Sequence, residues 1–299
     1  MKTTATKTPF RTGTDRTSPL IVNFGGGVDS TAILIQFVEL GIRPDLVIFA
    51  DTGSEKPETI QHVADFSAWL EAHDFPAVTV VSRPEMFGCR DQSLEENLVH
   101  NFTLPSICYG MGGCAGKWKH EPMDRYLTGG GRQKIEGWAP AKAAWARGEK
   151  PVKVIGYDAG PKDARRGQGR GPVLKNTVAP GRDFSAWHPL RDWGWDREAC
   201  EAVCQAGIGY VPMKSACWFC LASKESELRW LAENHPDLWA RALALEARAL
   251  PRVAELAQKK GITQSVFGLW RKPRKGDGRP ADWNTWARNE GLHPEAFAV

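Results

Sequence analysis

A glycine-rich segment, Gly25-Gly26-Gly27-Val28-Asp29-Ser30-Thr31, has the residue types and spacing that point most directly to chemistry. Its three glycines allow the backbone to turn tightly and to bring N–H groups close to an anion. The segment lies between an apolar run at 20–24 and a helix predicted at 30–40, whose N-terminus adds unpaired N–H donors and a favourable dipole. Ser30 and Thr31 add hydroxyl donors. The pattern predicts a phosphate-binding loop; a simple turn between strand and helix is the alternative interpretation.

Asp29 indicates which kind of phosphate loop this is. A Walker A loop needs a lysine that is absent here, and a dinucleotide fingerprint needs glycine where the chain has Ser30. A carboxylate beside a pyrophosphate is repelled unless a cation lies between them. Asp29 therefore favours ATP complexed with Mg²⁺ over NAD, although Asp51 follows the next apolar run at a position suited to a ribose contact.

Apolar runs and amphipathic segments predict the strands and helices around this loop. Strands are predicted at 20–24, 46–50, 78–82 and 152–157, with helices at 30–40 and 57–72. Buried strands separated by helices are typical of a parallel sheet covered on both faces. The predicted fold class is α/β, a doubly wound, mostly parallel sheet, with an added cysteine-containing helical subdomain. Ligands of such sheets bind beyond the carboxyl ends of the strands, where the glycine loop, Asp51-Thr52-Gly53 and Gly156-Tyr157 would emerge.

Composition divides the chain into four predicted regions. They are a disordered tail at 1–18, a nucleotide-binding α/β domain at 19–195 with an irregular insertion at 89–150, a helical subdomain at 196–269, and a basic, tryptophan-rich tail at 270–299. Helices are predicted at 117–127, at 196–206 between Asp196 and Gly207, and at 225–249, where Pro251 is expected to interrupt the helix.

Net charge and hydropathy limit the cellular compartments and the classes of partner that the sequence predicts. A net charge of +4 suits a phosphate-bearing substrate without singling one out. No apolar run approaches the ~18 residues of a membrane span and no secretory signal is visible, so a cytoplasmic protein without membrane contact is predicted. In a reducing compartment the seven cysteines would be metal ligands, reactive thiols or buried apolar residues rather than a disulfide framework.

Four segments, in chain order between about residues 20 and 235, resemble the signatures of a known superfamily. Residues 25–30 resemble the SGGxDS signature of the PP-loop ATP pyrophosphatases (adenine nucleotide α-hydrolase-like proteins), with Gly25 in place of the first serine. The other three segments resemble the phosphoadenylyl-sulfate (PAPS) reductase-like branch. They are Phe49-Ala50-Asp51-Thr52-Gly53 with Pro57-Glu58-Thr59 (DTG…PET), Ile155-Gly156-Tyr157-Asp158-Ala159 with Arg165-Arg166 (GxRxxExxxR, with Tyr157 where arginine is common), and His188-Pro189-Leu190-Arg191-Asp192-Trp193 (PLxxW).

The resemblance implies residue roles in an adenine-nucleotide site. Residues 25–31 would hold the phosphates, and Asp29 and Asp51 would organise Mg²⁺ or the nucleotide. The predicted nucleotide-binding residues are Gly25, Gly26, Gly27, Val28, Asp29, Ser30, Thr31, Asp51, Thr52, Gly53, Gly156 and Tyr157, and the predicted catalytic residues are Asp29, Ser30, Lys162 and Arg165. The cations Lys162, Arg165 and Arg166 would neutralise phosphate or sulfate charge; a solvated basic loop is the alternative.

Cys217-Trp218-Phe219-Cys220 has a spacing that lets two thiolates reach one metal ion. Together with the earlier pair Cys108 and Cys114, it resembles the layout in iron–sulfur adenylyl-sulfate reductases and in the ATP-pyrophosphatase component of DNA phosphorothioation systems. That resemblance implies that Cys108, Cys114, Cys217 and Cys220 hold a 4Fe–4S cluster, with zinc or no metal as alternatives. Cys200 and Cys204, four apart on a predicted helix, are interpreted as buried apolar residues, and Cys89 is unassigned.

Sulfonucleotide reductases use a nucleophilic cysteine near the C-terminus, and this chain has no cysteine after Cys220. The leading hypothesis is therefore an ATP-dependent enzyme that cleaves between the α and β phosphates and adenylates a substrate, in sulfur transfer or nucleic-acid modification. One alternative is a PAPS or adenylyl-sulfate reductase that uses an external thiol. Another is a module that binds adenylates or nucleic acid without catalysis.

The segment 270–286 interleaves Arg and Lys with Trp270, Trp283 and Trp286. Such a surface could follow a phosphate backbone and stack on bases, which makes DNA or RNA a candidate acceptor. The alternative is a tail whose tryptophans pack on the body of the protein. A sulfur-donor protein and a second copy of the chain are further candidate partners.

Overall fold

The computed structural model describes residues 17–111, 113–161, 184–261 and 263–294. In chain order the elements are β1 (Leu20–Asn23), α1 (Val28–Leu40), β2 (Leu46–Asp51), α2 (Pro57–Ala72), β3 (Val78–Ser82), α3 (Arg83–Phe87), α4 (Leu94–Asn101), a 3-10 turn (Ser106–Tyr109), α5 (Gly113–Ala115), a π-helical turn (Gly116–His120), α6 (Glu121–Thr128), α7 (Ala139–Ala146), β4 (Val152–Val154), β5 (Ser185–Trp187), α8 (Pro189–Trp193), α9 (Arg197–Ile208), α10 (Glu225–Asn234), α11 (Pro236–Lys259) and α12 (Trp283–Asn289).

The strands form one sheet in the order β3-β2-β1-β4-β5, and every pair is parallel. The centre of β1 pairs on both sides, with Val22 opposite Val47 of β2 and Val154 of β4. The order changes direction between β1 and β4, since β2 and β3 lie on one side of β1 and β4 and β5 on the other. The predicted α/β class with a parallel sheet is thereby confirmed.

Helices cover both faces of this sheet, as the side chains of β1 show. Leu20 and Val22 enter a core that includes Phe37 of α1 and Phe66 of α2, whereas Ile21 enters a second core with Met123 and Leu127 of α6. Alternate residues of a strand point to opposite faces, so the two cores lie on opposite sides of the sheet. The sheet is doubly wound, as predicted.

The described residues divide into two compact units. The first is drawn from Met1–Asp51, Glu55–Gly88 and Lys119–Ser215 and contains the sheet, and the second is drawn from Thr52–Ser54, Cys89–Trp118 and Ala216–Val299. The second unit has its own core between α4, α10, α11 and α12. Part of the predicted insertion therefore belongs with the C-terminal helices. No helix among the described residues is both long enough and apolar enough to cross a membrane.

Three predicted helices differ from the structure in their bounds. The helix predicted at 117–127 is a π-helical turn followed by α6. Asp196 caps α9 as predicted, accepting a hydrogen bond from the Ala199 N–H at 3.0 Å, but the helix passes Gly207 and ends before Gly209, which has a φ of 81°.

The helix predicted at 225–249 is in fact two helices, because Pro236 begins α11 after a non-helical His235. The prediction that Pro251 interrupts the helix is wrong, since α11 continues through it to Lys259. A proline removes one helical hydrogen bond, and the burial of Val253 and Ala257 beyond it offsets that loss.

Candidate functional site

The glycine loop connects β1 to α1, and three hydrogen bonds within it define its shape. The Gly25 N–H donates to Ser30 Oγ (3.1 Å), and Ser30 Oγ donates to the Gly27 carbonyl (3.2 Å). Thr31 Oγ1 donates to the same carbonyl at 3.0 Å. The hydroxyl protons of Ser30 and Thr31 therefore shape the loop, whereas the sequence predicted that they face an anion. The backbone N–H groups of the first turn of α1 remain the donors suited to phosphate.

Gly26 is the residue of the loop that a side chain would disturb most. Its φ is 65°, in the left-handed region that L-residues rarely adopt. A Cβ there would lie 3.1 Å from Thr59 Cγ2, 3.2 Å from Val63 Cγ2 and 3.3 Å from the Phe49 ring. The loop is thus seated directly on α2 and β2, and its shape depends on a glycine.

The carboxyl end of β4 lies directly against this loop. A Cβ on Gly156 would lie 3.3 Å from Ser30 N and 3.4 Å from Asp29 Cβ, so two backbones meet where the strand order changes direction. Ligands of open α/β sheets bind at this switch point. The structure therefore brings together the glycine loop and Gly156-Tyr157, as the sequence predicted.

An aromatic and cationic stack follows β4. The Tyr157 ring stacks on His188 at 5.3 Å between centroids, and the Arg191 guanidinium lies 5.4 Å from the Tyr157 ring centroid. Arg191 was not singled out as a functional residue from the sequence. It brings a positive charge to this end of the sheet, where a phosphate-bearing ligand would need one.

Asp29 lies in the first turn of α1, half-buried, with Arg197 Nη1 of α9 at 3.3 Å from its carboxylate. Arg197 also contacts Glu201 one turn along its helix at 2.7 Å. The carboxylate thus has a cationic partner in this structure, and a metal-bound nucleotide would compete with Arg197 for it.

Two buried charges follow β2 that the sequence analysis did not single out. The Glu55 side chain is fully buried and receives Lys119 Nζ at 2.8 Å. Lys56 is 2% exposed, and its Nζ lies 3.9 Å from Met213 Sδ. Lys and Glu side chains are rarely fully buried unless they are paired. The position of Glu55 and Lys56 just after the carboxyl end of β2, where ligands of such sheets bind, could have marked them as candidates from the sequence.

Asp51 ends β2, whereas Thr52 and Gly53 belong to the second unit. There the Thr52 carbonyl accepts from the Leu94 N–H (2.8 Å) and Ser54 Oγ from the Glu95 N–H (3.0 Å), so this segment receives N–H groups of the first turn of α4. The nucleotide-binding roles of Thr52 and Gly53 stay predictions. Lys162, Arg165 and Arg166 lie outside the described residues.

His62 of α2 lies beside the glycine loop and is 5% exposed. Its Nε2 is 2.9 Å from Thr31 Oγ1 and its Nδ1 is 2.8 Å from Tyr210 Oη. Burial lowers the pKa of His62 to about 4, with the Asp65 charge opposing the shift. The ring is therefore neutral at physiological pH.

Acid is expected to destabilise the protein through His62. The folded ring, with its pKa of about 4, binds a proton less readily than an unfolded histidine at 6.5. The stability that it contributes is therefore complete above about pH 6.5 and is lost as the pH falls toward about 4, by up to ~1.4 kcal/mol per pH unit. Urea unfolding of wild type and His62→Gln across this range measures the difference in slope. The control is His73→Gln, an exposed histidine at the end of the same helix; equal slopes for wild type and His62→Gln would contradict the prediction.

The four candidate ligand cysteines all belong to the second unit. Cys108 is buried and donates to the Leu269 carbonyl (3.5 Å), and Cys114 Sγ receives the Ser106 N–H (3.1 Å). Burial, and then the charges of Cys114 and Cys220, raise the pKa of the Cys108 thiol. Cys217 and Cys220 lie in one turn, closed by the Cys220 N–H to the Cys217 carbonyl at 3.1 Å.

Sulfur donors of this kind suit iron–sulfur clusters and zinc. Among the described residues, however, no three Cys, His, Asp or Glu side chains are grouped so that they could hold a metal ion as they stand. Metal binding would therefore require the thiols to converge and to lose their protons. Cys200 and Cys204 are fully buried in the core of the first unit, in agreement with their interpretation as apolar residues.

The tryptophans of the basic C-terminal segment are core residues. Trp270, Trp283 and Trp286 are each at most 5% exposed, and Trp283 lies 6.0 Å from Trp239 of α11 in a stacked arrangement. Their rings are not available to nucleic-acid bases. Of the two interpretations of this segment, packing on the body of the protein describes these three residues.

No protein-family model matches the chain, and no curated protein matches it in sequence. Among solved structures, the chain is similar to the U34-tRNA thiolase NcsA from Methanococcus maripaludis with its [4Fe-4S] cluster, at 12% identity and a TM-score of 0.40, over 93% of this chain and 84% of that one. A likeness of this size carries over no activity, ligand or residue role.

Proposed function

We propose that this protein is an ATP-dependent enzyme that cleaves ATP between its α and β phosphates and transfers the adenylate to an acceptor, in sulfur transfer or nucleic-acid modification. The observation that carries the proposal is the glycine loop at the switch point of a parallel sheet, with Gly156 against the first turn of α1. A PP-loop enzyme of the PAPS reductase-like branch would bind its nucleotide there.

The residues of the loop would hold the phosphates through the backbone. The N–H groups of a helix's first turn have no partners within the helix, and the helix dipole favours an anion at that end. Gly156 lets the backbone after β4 approach the first turn of α1, and Gly26 lets the loop lie directly on side chains of α2 and β2. Ser30 and Thr31 would keep the loop in shape through the Gly27 carbonyl.

Both acidic and basic side chains would contribute charge at the site. Asp29 and Asp51 would hold Mg²⁺, which neutralises phosphate charge when it is bound. Arg191 beside Tyr157 would add a cation at the end of β4, with Lys162 and Arg165 as further candidates.

No protein nucleophile is needed for this reaction. A nucleophilic atom of the acceptor attacks the α-phosphorus, the bond from that phosphorus to the bridging oxygen breaks, and pyrophosphate leaves with the bonding electrons. The proton of the acceptor passes to solvent. The protein would hold the α-phosphate in line with the attacking acceptor and stabilise the charge that develops on the phosphate.

Release of pyrophosphate from ATP and Mg²⁺, in the presence of candidate RNA, DNA or small acceptors, tests the proposal. Adenylate and pyrophosphate are expected in equal amounts. A folded wild-type protein that neither binds nor cleaves ATP would show the proposal to be wrong. Sulfite release from PAPS or adenylyl sulfate with an added dithiol would instead support the reductase alternative.

The second unit would carry a metal centre held by Cys108, Cys114, Cys217 and Cys220. We expect anaerobically purified protein to contain about four iron and four sulfide ions per chain. Cys217→Ser is expected to lose them, because one of four ligands is removed. Cys200→Ser, which changes a cysteine in the core of the first unit, is the control and should retain them. One zinc ion per chain without sulfide would favour the zinc alternative, and full iron content in Cys217→Ser would contradict the ligand assignment.

A further inference from the structure

We propose that Thr31, His62 and Tyr210 form a hydrogen-bond chain that positions the glycine loop for phosphate binding, by orienting the Gly27 peptide. The three act as positioning residues, because their hydrogen bonds act on the Gly27 peptide and not on the reacting atoms. The inference rests on the proposed function and names the residues that set the geometry of its phosphate site.

The direction of each hydrogen bond follows from the chemistry of the groups. The Gly27 carbonyl can only accept, so Thr31 Oγ1, at 3.0 Å, donates its single proton to it. Thr31 Oγ1 must then accept the proton of His62 Nε2 at 2.9 Å. A neutral imidazole has one N–H, so His62 Nδ1 is the acceptor and Tyr210 Oη, at 2.8 Å, donates to it.

The hydrogen-bond chain ends at the Gly27 carbonyl, which accepts hydrogen bonds from three donors. The Gly27 oxygen receives the Thr31 N–H (3.1 Å), Ser30 Oγ (3.2 Å) and Thr31 Oγ1. In a trans peptide the carbonyl and the following N–H point in opposite directions. Fixing the Gly27 carbonyl therefore fixes the direction of the Val28 N–H, a first-turn donor of α1.

The surroundings of His62 keep its ring neutral and in place. It packs against Phe24 and Phe66 at 6.0 and 5.5 Å between ring centroids, and Asp65 on its own helix is the charged group whose field reaches it. Burial holds the pKa of His62 at about 4. Only a neutral ring can donate through Nε2 and accept through Nδ1 at once.

If His62 only filled the core, mutation of its partners Thr31 and Tyr210 would have a different outcome. Removing a hydroxyl from the chain would then lower stability and leave the affinity of the folded protein for ATP unchanged. The positioning role predicts a change in affinity, and rescue when the hydroxyl alone is restored.

The experiment measures the Kd for ATP with Mg²⁺ by calorimetry, at a temperature at which each variant is folded. Thr31→Val is expected to weaken binding about 10-fold, because it removes both hydrogen bonds of the Thr31 hydroxyl, to the Gly27 carbonyl and from His62 Nε2. Tyr210→Phe is expected to weaken binding about 3-fold, because it removes only the hydrogen bond to His62 Nδ1. Thr31→Ser should restore the wild-type Kd. The matched control is Thr128→Val, because Thr128 Oγ1 likewise donates to a carbonyl four residues earlier, that of Asp124 at 2.8 Å, but on α6.

Nitrogen NMR of the imidazoles, without nucleotide, provides a second readout that does not depend on ATP. The His62 ring is expected as the Nε2–H tautomer in wild type. The Nδ1–H tautomer would overturn the inference, as would wild-type Kd values in both Thr31→Val and Tyr210→Phe. Wild-type protein that binds no ATP would instead overturn the proposed function, and the positioning role would fall with it.

Discussion

Replacing Gly26 with alanine is expected to weaken ATP binding by at least about 10²-fold and to remove pyrophosphate release with it. Alanine at a φ of 65° is strained by about 1–2 kcal/mol. The added methyl group would also lie 3.1–3.3 Å from Thr59, Val63 and Phe49. The loop would have to move away from α2 and β2, and its N–H groups would lose their common direction.

Gly41→Ala separates these two causes. Gly41 has nearly the same φ, 64°, at the other end of α1, and a Cβ there would meet nothing within 4 Å. It should therefore lose stability of about 1 kcal/mol from backbone strain alone and keep its affinity for ATP. The measurement is the Kd for ATP together with the free energy of unfolding for both variants. Equal Kd values in Gly26→Ala and wild type would show that the loop does not hold the phosphates.

Glu246→Ala is expected to destabilise the second unit by about 3–5 kcal/mol. The carboxylate is fully buried and accepts from the N–H groups of Leu269 (2.6 Å), Trp283 (3.0 Å) and Asn284 (2.9 Å), as well as from Asn284 Nδ2 (2.8 Å). Burial raises the pKa of Glu246, and these donors oppose that shift. Truncation would leave several buried donors without an acceptor.

Urea unfolding followed by tryptophan fluorescence measures the effect, because Trp283 and Trp286 lie on the helix that the carboxylate holds. Glu246→Gln, which keeps an acceptor oxygen of similar shape, should lose less. Glu255→Ala on the exposed side of the same helix is the control and should change the free energy of unfolding by less than about 0.5 kcal/mol. A loss that small in Glu246→Ala would contradict this account of the C-terminal segment.

Local patterns predicted the sheet and the loop because both depend on near neighbours in the chain. Apolar runs such as 46–50 mark buried strands by composition alone, and β2 occupies Leu46–Asp51. The glycine loop could be located because backbone turns, first-turn N–H groups and hydroxyls lie within seven residues, Gly25 to Thr31. The continuation of α11 through Pro251 could not be predicted in this way, because it depends on the burial of residues beyond the proline.

Sequence patterns alone were enough to predict the α/β class, the place of the glycine loop between strand and helix, and the burial of Cys200 and Cys204, because periodicity and composition are local properties. Three further features became visible in the folded protein alone: the contacts among Thr31, His62 and Tyr210, the burial of Lys56, and the packing of the tryptophans of the basic segment into a core. These contacts join residues from 31 to 148 positions apart in the hydrogen-bond chain alone. Their partners are chosen by packing, which no single segment encodes.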